Sequence, residues 1–540
     1  MKLMRPMLVC AAFVALCLSP PAVAEPRARD AHRDLSDITV AQLHRLYARR
    51  ELKVVDVVSW HLARIAALNP RYRAYVRIYG PEALRRAAWE DRQWGAKRAR
   101  ALLWGVPIVI KDNTAIRDHP LTNGWEGYAL AKAPMIARRD ATVVRRLRAA
   151  GAIILGHSNM PDFARSDTTV SSLGGRTGNA YDIDFSPGGS SGGSAVAVAL
   201  GMAVIGQGSD TGNSIRNPAS NNGLVGVVPT RGLVSTAGVH PYDWLRDNTG
   251  PLARTVTDAA IALDAMAGRD PLDPRTEARR RPAGDSFLAA LKPGALKGRR
   301  FGVPRFILEG SPTLRPMPNY WNRGVSPETR SMFMAAVEQL RAAGATVVID
   351  EQLMPESFDG LAKAIQTRPY RADGVDRFLA RYAPARLGSI KRYEQTTGRP
   401  YPMDLLADGE PQARFADGRL AYERRLESLR RAYRETMRRY RLDGLVYPAL
   451  QVPPNDERLK LPADYPSDGP YSATSWVNLL GLPAVVLPAG RYANGLPFGL
   501  EISAPRWRDA ALLSYAYAYE RSARLQKPPA LAGFQRSALP

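Results

Sequence analysis

The chain has 540 residues, 45% of them hydrophobic, enough to bury a large core as one big domain or as two or three. A formal net charge of +24 invites nucleic acid or an anionic surface as partner. The two cysteines, Cys10 and Cys17, both lie close to the N-terminus.

The first residues have a basic head (Lys2, Arg5), an apolar body from Leu8 to Leu18, and Ala22-Val23-Ala24 before Glu25. That is the layout of a secretory signal peptide over 1–24, too short for a permanent membrane span. Bulky Leu16 argues against a lipid anchor at Cys17. The expected product is exported, periplasmic or extracellular, with no stable membrane anchor. After cleavage no thiol remains, which excludes disulfides, cysteine–metal sites and a cysteine nucleophile.

Taken in order, Thr39 and Gln42 form a capping box opening a helix with Val40, Leu43 and Leu46. A second helix carries Val54, Val57, Val58, His61, Leu62, Ile65 and Leu68 and is expected to stop at Asn69-Pro70. Val106, Ile108 and Ile110 alternate in a strand apolar enough to be buried on both faces, with Lys111 at its end. A lysine there is often only a snorkelling charge. Asp140 caps a helix with Val143, Val144 and Leu147, Gly151 ends it, and Ala152 to Leu155 form the next strand.

Residues 186–218 hold glycine and serine at a density that ordinary strands and helices do not tolerate. Gly188, Gly189, Gly192 and Gly193 bracket Ser190 and Ser191, and small apolar residues follow from Ala195 to Leu200. Ala203 to Ile205 read as a short strand, and Gly208 to Ser214 as a loop opening another helix. Ser190 and Ser214 could then face each other across two helix starts, an arrangement suited to acyl transfer. A glycine–serine loop that merely turns the chain is the competing reading.

Further on, Leu224 to Val228 and Leu233 to Val234 are extended, Asp247 to Pro251 turn, and a helix covers Thr257 to Met266. Residues 268–325, rich in proline, arginine and glycine, look like surface connection with one apolar run at Phe301. A helix and strand follow over 328–350. Residues 355–475 are irregular around two arginine-rich helices. Leu445 to Pro448 and Leu482 to Pro488 are late buried strands, and a helix covers Asp509 to Glu520. The alternation predicts an α/β fold.

The charge excess is mostly arginine on helical faces: Arg424, Arg425, Arg430, Arg431, Arg434, Arg438 and Arg439 surround Leu426, Leu429, Tyr433, Met437 and Tyr440. That is an amphipathic helix with a solvated basic face. With no zinc knuckle, aromatic RNA-binding motif or helix-turn-helix, no specific nucleic-acid partner is expected. Weak attraction to anionic cell surfaces stays open.

Of the histidines (His32, His44, His61, His119, His157, His240) none makes a close ligand pair, so no metal is expected. No Gly-Lys-Ser/Thr follows the glycine-rich run, so no nucleotide cofactor is expected either. Gly-x-Ser-x-Gly occurs around Ser190 and Ser191, but an α/β-hydrolase needs a later histidine, and none follows His240. A serine hydrolase without histidine needs another base, and a desolvated lysine is the usual one. Lys111 is the best placed.

Three runs carry a resemblance to the amidase signature family. They are Gly-Gly-Ser-Ser-Gly-Gly-Ser, Gly-Ser-Asp-Thr-Gly-Asn-Ser-Ile-Arg-Asn-Pro-Ala, and Gly-Leu-Val-Gly-Val-Val-Pro-Thr-Arg-Gly-Leu-Val-Ser. Gly105 to Asn113 is similar to that family's lysine strand, and Gly156-His-Ser-Asn-Met160, Asp247 to Asp258 and Gly481 to Ala484 also fit. The resemblance implies one large α/β/α domain over 36–522, with a mixed, mostly parallel-containing sheet. The flanks would be an extension at 25–35 and a tail at 523–540, with substrate shaped by 355–475.

It further implies a Ser-cisSer-Lys triad. Ser214 would be the nucleophile, Ser190 the bridging serine and Lys111 the base, with the amides of Thr211, Gly212, Asn213 and Ser214 as oxyanion hole. Ser191 would support the loop by hydrogen bonds, and Asp210 with Arg216 would brace it as an ion pair. Asn213 departs from the family's glycine, and Asn tolerates positive φ best among non-glycine residues. His157 replaces a common lysine outside the triad. The implied reaction is hydrolysis of a small-molecule or peptide amide, without cofactor, by a monomer or homodimer. An ester-preferring hydrolase and a noncatalytic basic protein of the envelope are the alternatives.

Overall fold

The computed structural model describes residues 33–93, 101–278, 285–310, 324–407, 409–459, 474–525 and 528–529. The expected leader at 1–24, with Cys10 and Cys17, lies outside the described residues, as does most of the tail after 525. None of the described helices is long and apolar enough to cross a membrane.

Thirteen strands are present among the described residues. In chain order they are β1 (Tyr75–Ile78), β2 (Pro107–Lys111), β3 (Ile153–Ser158), β4 (Val170–Ser171), β5 (Gly175–Arg176), β6 (Ile205–Asp210) and β7 (Val225–Val228). There follow β8 (Asn248–Ala253), β9 (Arg300–Gly302), β10 (Thr346–Val348), β11 (Gly444–Pro448), β12 (Ala484–Arg491) and β13 (Pro497–Ser503). β4 and β5 pair only with each other; the other eleven form one mixed sheet in the order β1-β3-β2-β6-β8-β7-β12-β13-β11-β9-β10. Parallel pairing is confined to β3–β2–β6 on one side and β11–β9–β10 on the other, and the strands between are antiparallel. Helices cover the sheet, so this is the expected α/β class. β2 is buried along its whole length, as a continuous apolar run requires.

Several local expectations meet tertiary packing. The Thr39–Gln42 capping box is present at the helix Val40–Ala48. The second helix, Val54–Tyr72, does not stop at Pro70 but runs through it. A proline inside a helix costs about 3 kcal/mol; burial of Leu68 and Tyr72 returns about 1.5–3 kcal/mol each, so packing wins. Asp140 does not cap the helix Thr142–Ala149, whose N-cap is Ala141; its carboxylate accepts from the Arg117 amide instead.

Two segments read as loops are strands. The strand expected at Ala203–Ile205 begins only at Ile205 and continues through polar Gly-Gln-Gly-Ser to Asp210. Its polar residues are satisfied internally: Gln207 accepts from the Lys111 amide and donates to the Gly208 carbonyl and the Thr249 hydroxyl. Asp247 to Pro251, read as a turn, is mostly β8 between β6 and β7. A Cβ on Gly250 would lie 2.0 Å from the Val227 carbonyl oxygen, so this glycine permits close strand approach. Leu233–Val234 is a bend rather than a strand, and the Phe301 run is sheet strand β9.

Residues 355–475 are largely helical where described: Glu356–Lys363, Arg371–Tyr382, Ile390–Thr397, Met403–Ala407 and the long Phe415–Arg439. The last buries Tyr422, Leu426, Leu429, Tyr433 and Met437, leaving most of its arginines on the exposed side.

Candidate active site

Two neighbouring parallel strands build the site. β2 and β6 pair as Ile108↔Ile205 and Val109↔Gly206, so both C-terminal ends, Lys111 and Asp210, reach the same sheet edge. The glycine-rich run crosses that edge. Gly188 sits at φ +75°, the Gly189–Ser190 peptide is cis, and the fully buried helix Gly192–Ala199 starts directly after Ser191.

The Lys111 ammonium or amine group is completely enclosed, and three hydroxyls surround it. Nζ lies 2.7 Å from Ser190 Oγ, 3.0 Å from Ser191 Oγ and 2.9 Å from Ser209 Oγ. Burial lowers the lysine to about 7, while the nearby carboxylates of Asp210 and Asp247 pull the other way. Near neutral pH the group is therefore divided between amine and ammonium, unlike an ordinary surface lysine.

Ser191 also holds the loop, donating to the Ser209 carbonyl (3.1 Å) and accepting from the Ser209 amide (3.3 Å). Its hydroxyl thus touches the lysine as well as the loop. Ser209 was not singled out from sequence; its signal was its place at the end of a strand adjacent to the lysine strand. Asn113 Nδ2 donates to the same Ser209 oxygen at 2.9 Å.

Ser214 is nearly buried, 6% exposed, and its carbonyl accepts from the Ser191 amide at 3.1 Å, which ties the two serine loops together. Thr211 to Ser214 form the turn between β6 and the short helix Arg216–Asn221. Asn213 does not adopt a positive φ, so no left-handed strain follows from having a side chain there.

Behind this turn, Arg216 is completely buried and pairs with two carboxylates, Asp210 at 3.1 Å and Glu501 of β13 at 2.9 Å. Its guanidinium also donates to the Gly212 carbonyl, the Thr474 carbonyl and Asn478 Oδ1. Burial alone would raise Asp210, yet Arg216, the Ile215 amide and Asn478 together hold it below the usual carboxylate range. Glu501 stays raised because burial dominates there. Asp210 is thus the firmly ionised partner. Glu501 and Asn478 lie 285 and 262 residues from Arg216 along the chain, and no local pattern links them to it.

Asp247 accepts from the Thr211 hydroxyl at 2.5 Å and from the Tyr242 and Asp243 amides at 3.1 Å. Burial, then the Asp243 charge, raises it to about 6. His157 is buried away from the serines: Tyr79 Oη lies 2.7 Å from Nδ1, the Thr114 carbonyl oxygen 3.0 Å from Nε2. Burial lowers it to about 3, so it is neutral. His240 is likewise buried, lowered to about 3, and engaged by Asn123 and Tyr128. No cluster of three or more histidine, cysteine or acidic residues suited to a metal occurs among the described residues.

An enclosed lysine amid serine hydroxyls thus sits on an α/β sheet edge, next to a turn braced by a buried ion pair. The chain belongs to the amidase family, whose model matches residues 56–513. It is an amide-hydrolysing enzyme. It is 34% identical over 503 residues to a glutamyl-tRNA(Gln) amidotransferase subunit from Thermosynechococcus vestitus, covering 89% of this chain and 97% of that one. Among solved structures it is similar to the peptide amidase from Stenotrophomonas maltophilia, with a TM-score of 0.75 and 34% identity over 92% of this chain and 99% of that one. A 6-aminohexanoate cyclic dimer hydrolase complexed with substrate matches at TM-score 0.71 and 25% identity, over 92% and 99%.

Proposed function

We propose that the enzyme cleaves a small-molecule or peptide amide through an acyl-enzyme on Ser214, with Ser190 and Lys111 relaying its proton. The observation that carries this reading is the enclosed Lys111 amine 2.7 Å from Ser190 Oγ. A neutral amine has two protons to donate and one lone pair to accept with. Ser191 spends its proton on the Ser209 carbonyl, and Ser209 Oγ already receives from Asn113. Both suit the amine's two N–H donors, which leaves the lone pair for the Ser190 proton.

Ser214 Oγ attacks the amide carbon as its proton moves to Ser190 Oγ, and the Ser190 proton moves to Lys111 Nζ. The amides of Thr211, Gly212, Asn213 and Ser214 receive the developing oxyanion. The C–N bond then breaks as the proton returns along the same path to the leaving nitrogen, giving ammonia or an amine. Water hydrolyses the ester by the reverse relay and regenerates Ser214. Asp210 and Arg216 hold the turn in place without touching the reacting atoms.

The leader-like residues 1–24 support an exported, free-standing hydrolase over a component of an amidotransferase. N-terminal sequencing of protein recovered outside the cytoplasm should begin at Glu25; an intact Met1 on active cytoplasmic enzyme would reject export.

The chemistry is tested with a fluorophosphonate probe, peptide mapping, and a panel of amides and matched esters. Label on Ser214, and amide turnover lost in Ser214→Ala, is the expected result. Label elsewhere, or full turnover by the variant, would overturn the assignment. Turnover of esters alone would leave the triad and replace the substrate class.

A further inference from the structure

One guanidinium beside the turn that carries Ser214 makes no hydrogen bond or salt bridge among the described residues, although the Asp243 and Asp247 charges lie near it. Arg246 lies in the 243–247 turn, whose backbone is closed by its amide on the Asp243 carbonyl at 2.8 Å. A Cβ placed on Gly212 would be only 3.9 Å from Arg246 Nη2, so the side chain reaches the turn that carries Ser214. No hydrogen bond or ion pair engages this guanidinium among the described residues, and its Nε is buried without an acceptor.

The neighbouring arginines are different. Arg371 pairs with Asp243 at 3.6 Å and donates to the Leu406 carbonyl, Arg275 is held by Asp273, and Arg231 donates to the carbonyls of Asn478 and Leu479. Nor do the two nearest carboxylates remain available. Asp243 accepts from the Thr367 hydroxyl besides facing Arg371, and Asp247 is occupied by Thr211 and two backbone amides. Leaving a buried guanidinium N–H unpaired costs about 1–3 kcal/mol or more, a cost that a bound anion would remove.

We infer that Arg246 is a specificity-determining residue that receives a carboxylate of the substrate, so that the preferred amides are acidic ones. The inference rests on the proposed reaction at Ser214, since it places the carboxylate within a side chain's reach of that turn. Planar, doubly donating recognition by arginine suits a carboxylate better than a neutral carboxamide, which offers one acceptor oxygen and two N–H groups that oppose the guanidinium.

The test uses matched pairs: succinamate against succinamide, and N-acetyl-aspartyl and N-acetyl-glutamyl amides against their asparaginyl and glutaminyl counterparts. The full-length enzyme should prefer the acidic member of at least one pair. Arg246→Gln should lower kcat/KM for that member by about 10- to 100-fold, while the neutral member changes by less than about 3-fold. Arg246→Lys should recover part of the loss, and a thermal melt of both variants separates lost recognition from lost folding.

No preference for any acidic member in the unmodified enzyme, or an equal fall for both members in folded Arg246→Gln, would overturn the inference while turnover and fluorophosphonate label on Ser214 keep the reaction intact. No turnover of either kind together with an unlabelled Ser214 would overturn the reaction itself, and the inference with it.

Discussion

Lys111 Nζ lies 2.7 Å from Ser190 Oγ, and neither residue has any exposed surface. The lysine comes from the end of β2, and the serine from a loop 79 residues later that the glycine-rich run folds across the sheet edge. Burial lowers the amine toward neutrality, and in the proposed reaction the hydroxyl supplies the proton it takes. From this pair follow consequences for rate, pH and stability.

In the proposed reaction Lys111 is the base, and replacing it by alanine removes it. Amide turnover should fall by about 10²–10⁴-fold, the usual span for a general base. Steady-state ammonia release with circular dichroism to confirm folding is the check, and unchanged turnover would remove the lysine from the reaction.

The pH dependence has a definite sign. Lys111 must be uncharged to accept a proton, and it is lowered to about 7 in the folded protein. Log kcat/KM should therefore rise with unit slope through the acid range and level off above about pH 7. A profile flat from about pH 5 to 9 contradicts that protonation state.

The same shift burdens stability. Between about 7 and the ordinary lysine value near 10.4 the unfolded chain holds a proton that the folded chain has released, so stability rises with pH across that window. Below it the full penalty applies. Lys111→Met should thus be inactive yet more stable at pH 7, by about 1–4 kcal/mol on the precedent of buried charges replaced by apolar residues. Denaturant unfolding should show the advantage shrinking toward pH 10.

Arg216→Met acts in the opposite direction. It leaves Asp210 and Glu501 buried without their shared cation, at a cost of about 3–5 kcal/mol. Because the Gly212 carbonyl loses its donor too, the turn should loosen, and kcat should fall along with the unfolding midpoint. A variant with normal kcat would show that the turn holds its shape unaided.

Gly193→Ala tests the packing under the serines. A Cβ there would lie 2.4 Å from the Asn159 carbonyl oxygen and 2.6 Å from that of Ala74, both rigid backbone atoms. The helix Gly192–Ala199 must shift, carrying Ser190 and Ser191 away from Lys111. A sharp loss of turnover and a lower melting temperature are expected; wild-type behaviour in both would contradict the close approach.

Patterns of residues near in sequence were enough to read the capping box at Thr39, the lysine strand, the glycine–serine run and the α/β class, because each depends on neighbours a few positions apart. The same local rules misjudged Pro70, Asp140 and the segment Asp247 to Pro251. There a helix end packed into the core, a backbone amide at Arg117, or an incoming strand outweighed the residue's own preference.

What the sequence by itself determined is the chemical inventory: a lysine on a buried strand, serines in glycine-rich turns, and neither thiol nor histidine suited to serve instead. Only tertiary structure decided that Ser209 joins the lysine's surroundings, that Glu501 braces the 211–214 turn from a distant strand, and that Arg246 Nε is buried without an acceptor among the described residues. Hydrogen bonds and ion pairs act over a few ångströms of space, and the chain brings such groups together only after the sheet has set its strand order and register.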